Sequence, residues 1–173
     1  MSSKRRGFWF STPRTKTYPR GPWFWISAWL PVAVGIAFIT VESTPAFGAD
    51  RTSHPLRWLV QLFCGQLSDA TWDLVHYLIR KSGHFLGYGA LGLVWLRAWW
   101  MSLQGSRFWV DFLLGLTGTA LVASCDEWHQ TFLPNRTGSP WDVLLDCCGT
   151  LVMLLIVYVF LRVYRPRLLV HGN

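Results

Sequence analysis

Apolar residues along this chain gather into four long runs, set apart by segments that hold most of the charge. The first runs from about Trp23 to Val41, the second from about Gly83 to Trp100, the third from about Phe108 to Cys125 and the fourth from about Trp141 to Leu161. A helix rising 1.5 Å per residue needs about 20 residues to cross about 30 Å of hydrocarbon, and each run approaches that length. The pattern predicts an all-α membrane protein, a bundle of four main transmembrane helices. A shorter stretch at 54–67, "HPLRWLVQLFCGQL", carries Arg57 and Gln61 among its apolar residues and predicts a short amphipathic helix lying at the interface.

Composition supports this reading. At 173 residues the expectation is one domain. Half the residues (51%) are hydrophobic and only 14% are charged, and the mean hydropathy is positive, which suits a chain whose solvent is partly lipid. Twelve tryptophans agree with that, because indole favours the membrane–water boundary. The net charge of +7 flanks the apolar runs and forms no single stripe, so no nucleic-acid partner is expected. The divisions are a basic arm at 1–22, a membrane domain at 23–162 and a basic tail at 163–173. "PAFGAD" at 45–50 resembles a signal-peptide cleavage site, but the preceding apolar run exceeds a usual h-region, so an uncleaved anchor is expected.

The basic residues also give an orientation. Lys4, Arg5, Arg6, Arg14, Lys16, Arg20, Arg97, Arg107, Arg162, Arg165 and Arg167 fall on one side, eleven in all. Arg51, Arg57, Arg80, Lys81 and Arg136 fall on the other. The excess predicts a multi-pass protein of the cell membrane with both termini cytoplasmic.

Polar residues within the runs follow helical spacing. Arg80, His84 and Tyr88 are four apart and descend about 12 Å along one stripe. Beside them Gly83 and Gly87 have the small-xxx-small spacing that admits a neighbouring helix. Gly115, Thr119, Ala123 and Glu127 form a small-residue seam expected to face protein, with Asp126 and Gln130 in the next row. Asp142, Asp146 and Gly149 share a face of the last helix. Charge at such depth is costly unless it pairs or lines a wet cavity, and so marks a site. The competing explanation is an ion-pair lock in which Arg80, Lys81 and Arg136 neutralise Asp126, Glu127, Asp142 and Asp146. A lock does not account for His84, Tyr88, His129 and Gln130, which bring proton-transfer and hydrogen-bonding chemistry. His84, Glu127 and Asp146 are expected to point at one another around an outward-opening polar cavity, with Arg136 over its mouth. Cys64, Cys125, Cys147 and Cys148 are expected as buried small residues, with a bridge from Cys125 to Cys147 or Cys148 as the alternative.

"RKSGHFLGYGALG" at 80–92 and "DEWHQTFLPNRTGSPWDVLLDCCG" at 126–149 resemble the VanZ-like family of small bacterial membrane proteins. The family pattern is met by Lys81, His84, Phe85 and Tyr88, by Asp126, Glu127 and Gln130, by Pro134 and Arg136, and by Asp142, Asp146 and Gly149. Asn135 stands where glycine is frequent, and Asp146 where asparagine is also common. The resemblance covers roughly 25–162 and implies bacterial cell-envelope biology related to resistance to the glycopeptide teicoplanin. It implies no particular reaction.

Within the cell-envelope setting that the resemblance implies, one hypothesis is an intramembrane enzyme acting on a lipid or lipid-linked envelope precursor. Its catalytic candidates are His84, Glu127, Asp126 and Tyr88. Arg80, Lys81, Gln130, Arg136, Asp142 and Asp146 are the substrate-binding candidates, the arginines suiting a phosphate or pyrophosphate. The carboxylates would suit a hard cation, but "DEWHQ" falls short of H-E-x-x-H, so no metal ligand is assigned and the cofactor is unknown. The alternative is a binding protein without chemistry, recognising a lipid headgroup or an amphipathic antibiotic through the same pocket. A transporter is disfavoured, since apart from hydroxyls only Arg97 and Asp111 are polar toward the inner side.

Overall fold

The computed structural model describes residues 20–103, 106–133, 136 and 138–165. Most of the basic arm and tail, and Pro134 and Asn135 of the motif, lie outside these residues. Every regular element among the described residues is helical: α1 (Pro22–Glu42), a 3-10 turn (Pro45–Phe47), α2 (Ala49–Cys64), α3 (Asp69–Ser102), α4 (Phe108–Gln130) and α5 (Pro140–Tyr164). Helices α1, α4 and α5 are long and apolar enough to cross a membrane. Their outward faces remain apolar, with Leu30, Val34 and Phe38 on α1, Leu113 and Leu121 on α4, and Ile156, Val159 and Phe160 on α5 all exposed. So much uncovered aliphatic and aromatic surface suits a lipid surround.

The sequence places a second span over Gly83–Trp100, but the helix holding it is much longer. α3 has 34 residues, about 51 Å. It begins at Ser68, whose hydroxyl accepts the Thr71 N–H at 3.2 Å, with Asp69 favourably placed in the first turn. Trp72 and His76 continue the four-residue stripe of Arg80, His84 and Tyr88 upward, and both are buried. With this stripe, Arg97 and several glycines, α3 is less apolar than α1, α4 and α5. It is also the centre of the bundle, packed against α5, α4 and α1.

Small residues let these helices approach. Ala28, Val32 and Ile39 of α1 are buried, and a side chain on Gly35 would press on Leu91 of α3. Arg97 donates to the Ser27 carbonyl at 2.7 Å, and Trp29 Nε1 donates to Ser102 Oγ at 3.1 Å, fixing the lower half of α1 to α3. The α4 seam of Gly115, Thr119, Ala123 and Glu127 is buried along its whole length. A Cβ on Gly115 would stand 3.3 Å from the Leu96 nitrogen, and one on Gly118 would meet the Trp95 ring. Below the polar level, Leu96, Trp100, Phe108, Phe112, Leu154 and Leu161 form a buried apolar core.

Two expectations are corrected here. Gly83 and Gly87 seat no helix: a Cβ on either would meet nothing within 4 Å. The close approach is made one face over, where Gly89 meets Gly149 and Gly92 meets Thr150, because α5 packs on the Phe85–Gly89–Gly92 side and leaves Gly83 and Gly87 open to a cavity. The four cysteines are free, and Cys64, Cys125 and Cys148 are exposed, not buried. Cys125 lies off the buried Ala123–Glu127 face of α4, and Cys148 is turned outward beside buried Gly149.

The amphipathic segment is a helix, but it starts earlier than 54–67 and ends sooner, at Cys64, where Gly65 takes φ of 75°. Trp58, Leu59, Leu62 and Phe63 are exposed on α2. Its polar side is tied to α3 through Thr52 and His76 (3.2 Å), Trp72 and Ser53 (2.8 Å), and Arg57 and Asp69 (2.8 Å).

Candidate functional site

The polar residues of α3, α4 and α5 meet at one level of the bundle. α3 supplies Arg80, Lys81, His84 and Tyr88, α4 supplies Asp126, Glu127 and Gln130, and α5 supplies Asp142 and Asp146. Arg136 and Ser139 come from the α4–α5 connection.

Three of these residues converge most closely. A ring nitrogen of His84 and one carboxylate oxygen each of Glu127 and Asp146 all lie within 4.8 Å of one another. His84 Nδ1 is 3.4 Å from Asp146 Oδ1, and the Asp146 side chain is completely buried. Glu127 is held by its Oε2, which accepts the Ser139 N–H at 2.8 Å. Gly138 makes this possible, since a Cβ there would run into the Glu127 carbonyl. Asp146 is fixed by helix register, because Gly149 on the next turn presses against the Phe85 backbone and admits no side chain. His84 Nδ1, Glu127 Oε1 and both Asp146 oxygens are buried with no hydrogen-bond partner among the described residues.

Asp126 belongs to a second, adjoining network. Its Oδ2 accepts from Tyr88 Oη at 3.0 Å and from Gln130 Nε2 at 3.1 Å. Tyr88 also lies nearly parallel to the His84 ring, with centroids 6.1 Å apart. Asp126, His84 and Tyr88, with Gln130 and Arg136, line a small cavity of about 30 Å³ closed on the α1 side by Ile39, Glu42 and Ser43.

A larger cavity of about 340 Å³ opens beside it, lined by Arg80, Lys81, Arg136, His76, Asp73 and Asp142 among others. His84, Gln130 and Arg136 border both cavities. The cations differ in their commitments. Lys81 forms an ion pair with Asp142. Arg136 donates through Nη2 to the carbonyls of Glu42 (2.9 Å) and Thr44 (3.1 Å), so it closes the end of α1 as well as facing the cavity. Arg80, half-buried before the apolar run of α3, has no hydrogen-bond or ion-pair partner among the described residues. Burial lowers its pKa, the Arg136 guanidinium nearby adds to the depression, and Asp142 and Asp50 oppose it. Two guanidiniums that repel each other beside a cavity favour an anion between them.

The ion-pair lock thus accounts for Lys81–Asp142 alone among the cation–carboxylate pairs it proposes. Glu127 and Asp146 have no Lys or Arg in ion-pair contact among the described residues. The sequence reading missed Ser139 as the donor holding Glu127, the Glu42 and Thr44 carbonyls that hold Arg136, and Asp73, His76 and Tyr77 in the wall of the larger cavity. Gly138 and Ser139 in "RTGSPW" carried a signal, a glycine and an N-cap directly before Pro140. The α1 carbonyls carried none, because backbone acceptors have no sequence signature.

A family model described as VanZ/LLP1 matches residues 24–161. No curated protein and no solved structure matches the chain.

Proposed function

The chain belongs to the VanZ/LLP1 family of membrane proteins, and from that premise we propose that it acts in the bacterial cell envelope on the anionic headgroup of a lipid or lipid-linked precursor. Four spans, α3 among them, would place both termini in the cytoplasm and open the polar site outward, as the eleven-to-five distribution of Lys and Arg favours. The carrying observation is the juxtaposition of Arg80, beside the 340 Å³ cavity, with His84, which borders that cavity and leads to buried Glu127 and Asp146. Arg80, Lys81 and Arg136 would receive the phosphate, Arg80 with its full donor set. His84 and Glu127 would move the proton, with Asp146 orienting His84, and Tyr88, Asp126 and Gln130 would hold the inner wall. Lipid is the natural partner, since a headgroup can enter from the membrane plane while its chains stay beside the exposed apolar faces. The link to glycopeptide tolerance that the resemblance implies belongs to the same reading.

Mass spectrometry of lipids that co-purify with the protein, before and after incubation with native membrane extract, tests this. An anionic lipid consumed by the native protein but persisting with Glu127→Gln is the expected result. That variant keeps an acceptor for the Ser139 N–H while removing the titratable group. A lipid bound and never altered would overturn the chemistry in favour of a binding protein, and retention of no anionic lipid would overturn both.

A further inference from the structure

We propose that His84, Glu127 and Asp146 form a three-ligand site for a divalent transition-metal cation of the zinc type, with its remaining coordination position facing the cavities that His84 borders. The donors come from three different helices, which is why no linear ligand motif announces them. Four of their polar atoms, His84 Nδ1, Glu127 Oε1 and Asp146 Oδ1 and Oδ2, are buried without a well-directed hydrogen bond among the described residues, and the one close contact within the set, His84 Nδ1 to Asp146 Oδ1 at 3.4 Å, leaves Glu127 Oε1 and Asp146 Oδ2 unserved. Buried polar atoms are rarely left so, and four gathered within one small volume call for a shared partner that accepts lone pairs. A cation meets that need for all three residues at once.

The spacing fits. Zinc binds imidazole nitrogen and carboxylate oxygen at about 2.0–2.2 Å, so adjacent ligands of a tetrahedral site stand about 3.4 Å apart. His84 Nδ1 and Asp146 Oδ1 are 3.4 Å apart, and the third donor lies within the 4.8 Å that contains the set. Small side-chain rotations bring the Glu127 oxygen to the same centre, while its other oxygen stays on the Ser139 N–H at 2.8 Å and fixes the orientation.

Charge argues in the same direction. Two carboxylates and a neutral imidazole carry −2, which one divalent cation cancels, and a neutral cluster is the least costly one to hold at membrane depth. An imidazole among the donors favours zinc, copper, iron or nickel over magnesium, calcium and manganese, which prefer oxygen ligands. Asp126 stays outside the set because Tyr88 and Gln130 already occupy its Oδ2. This inference uses the residues of the proposed lipid site, but metal occupancy can be measured with no lipid present, so either reading can fail alone.

The test uses the full chain purified in detergent, stripped with a chelator, dialysed against ZnCl2 and analysed for metal by plasma mass spectrometry. The expected result is one Zn2+ per chain, with affinity falling more than about 100-fold in His84→Ala and in Asp146→Asn, beyond the 10–100-fold that loss of a supporting hydrogen bond costs. Cys147→Ser, which alters a neighbour outside the set, should keep one Zn2+. Loading with CoCl2 gives a second readout, a visible absorption band present in the native protein and absent from His84→Ala. If Asp146→Asn fails to fold, half-buried His84 supplies the same comparison. A native protein holding no more zinc than His84→Ala, or one whose zinc is lost in Cys147→Ser instead, overturns the site.

Discussion

Tyr88 Oη donates to Asp126 Oδ2 at 3.0 Å, joining α3 to α4 on the wall of the inner cavity. The tyrosine is buried, and its backbone carbonyl accepts from Thr150 Oγ1 of α5 at 2.9 Å, so one residue ties three helices together. Tyr88→Phe keeps the ring and the backbone bond but leaves Asp126 with Gln130 alone. A hydrogen bond to a charged group contributes about 1.5–3 kcal/mol. We expect Tyr88→Phe to lose about 1.5 kcal/mol in a denaturant titration in detergent. Combined with Asp126→Asn, the losses should be less than additive, since both variants weaken the same bond. Strict additivity would show that the contact contributes nothing.

The glycines give a contrast within one bundle. In Gly149→Ala the new methyl meets the Phe85 backbone, which cannot move aside as a flexible side chain would. Overpacking of that kind costs about 1–3 kcal/mol, and here it would also shift Asp146 away from His84. Gly83→Ala adds a methyl with nothing within 4 Å, inside a helix where alanine is favoured over glycine by about 0.5–1 kcal/mol. Melting temperatures in one detergent should therefore fall for Gly149→Ala and rise slightly for Gly83→Ala. The reverse order would mean that α5 does not pack on Phe85.

How much of this was legible in the sequence depends on whether one helix or several carried the signal. Spacing along a single helix was readable: the His84–Tyr88 stripe, the buried Gly115–Glu127 seam and the Asp142–Asp146 face all follow from residues four apart. Register between helices was not readable. Gly83 and Gly87 look as suited to close packing as Gly89 and Gly92, and only the position of α5 decides between them. Arg136 binds carbonyls 92 and 94 residues away, which no local pattern could indicate. The full length of α3 was hidden for another reason. Its first turns are polar and amphipathic, so an apolar-run criterion starts the helix only at Gly83, although Trp72 and His76 were already in phase with His84.

His76 lies in that early part of α3, ahead of the apolar run, and gives a pH dependence whose sign is fixed. Its Nε2 is 3.2 Å from Thr52 Oγ1 of α2, and its ring stacks on Trp72 with centroids 5.3 Å apart. Burial lowers its pKa below the ordinary value of 6.5, Arg80 lowers it further, and Asp73 on the preceding turn partly opposes them. When the folded pKa is the lower one, the unfolded chain takes up a proton first as the pH falls. The contribution of neutral His76 is therefore fully present above about 6.5 and is lost as the pH drops through that value toward the folded pKa. His76→Gln keeps a hydrogen-bonding group for Thr52 but cannot titrate. Between about pH 7.5 and about pH 5.5, around the ordinary histidine pKa, the melting temperature of the native protein should fall more steeply than that of His76→Gln. Every other group is the same in both proteins, so the difference between the two curves isolates His76. Parallel curves would show that α2 and α3 meet without depending on a neutral imidazole.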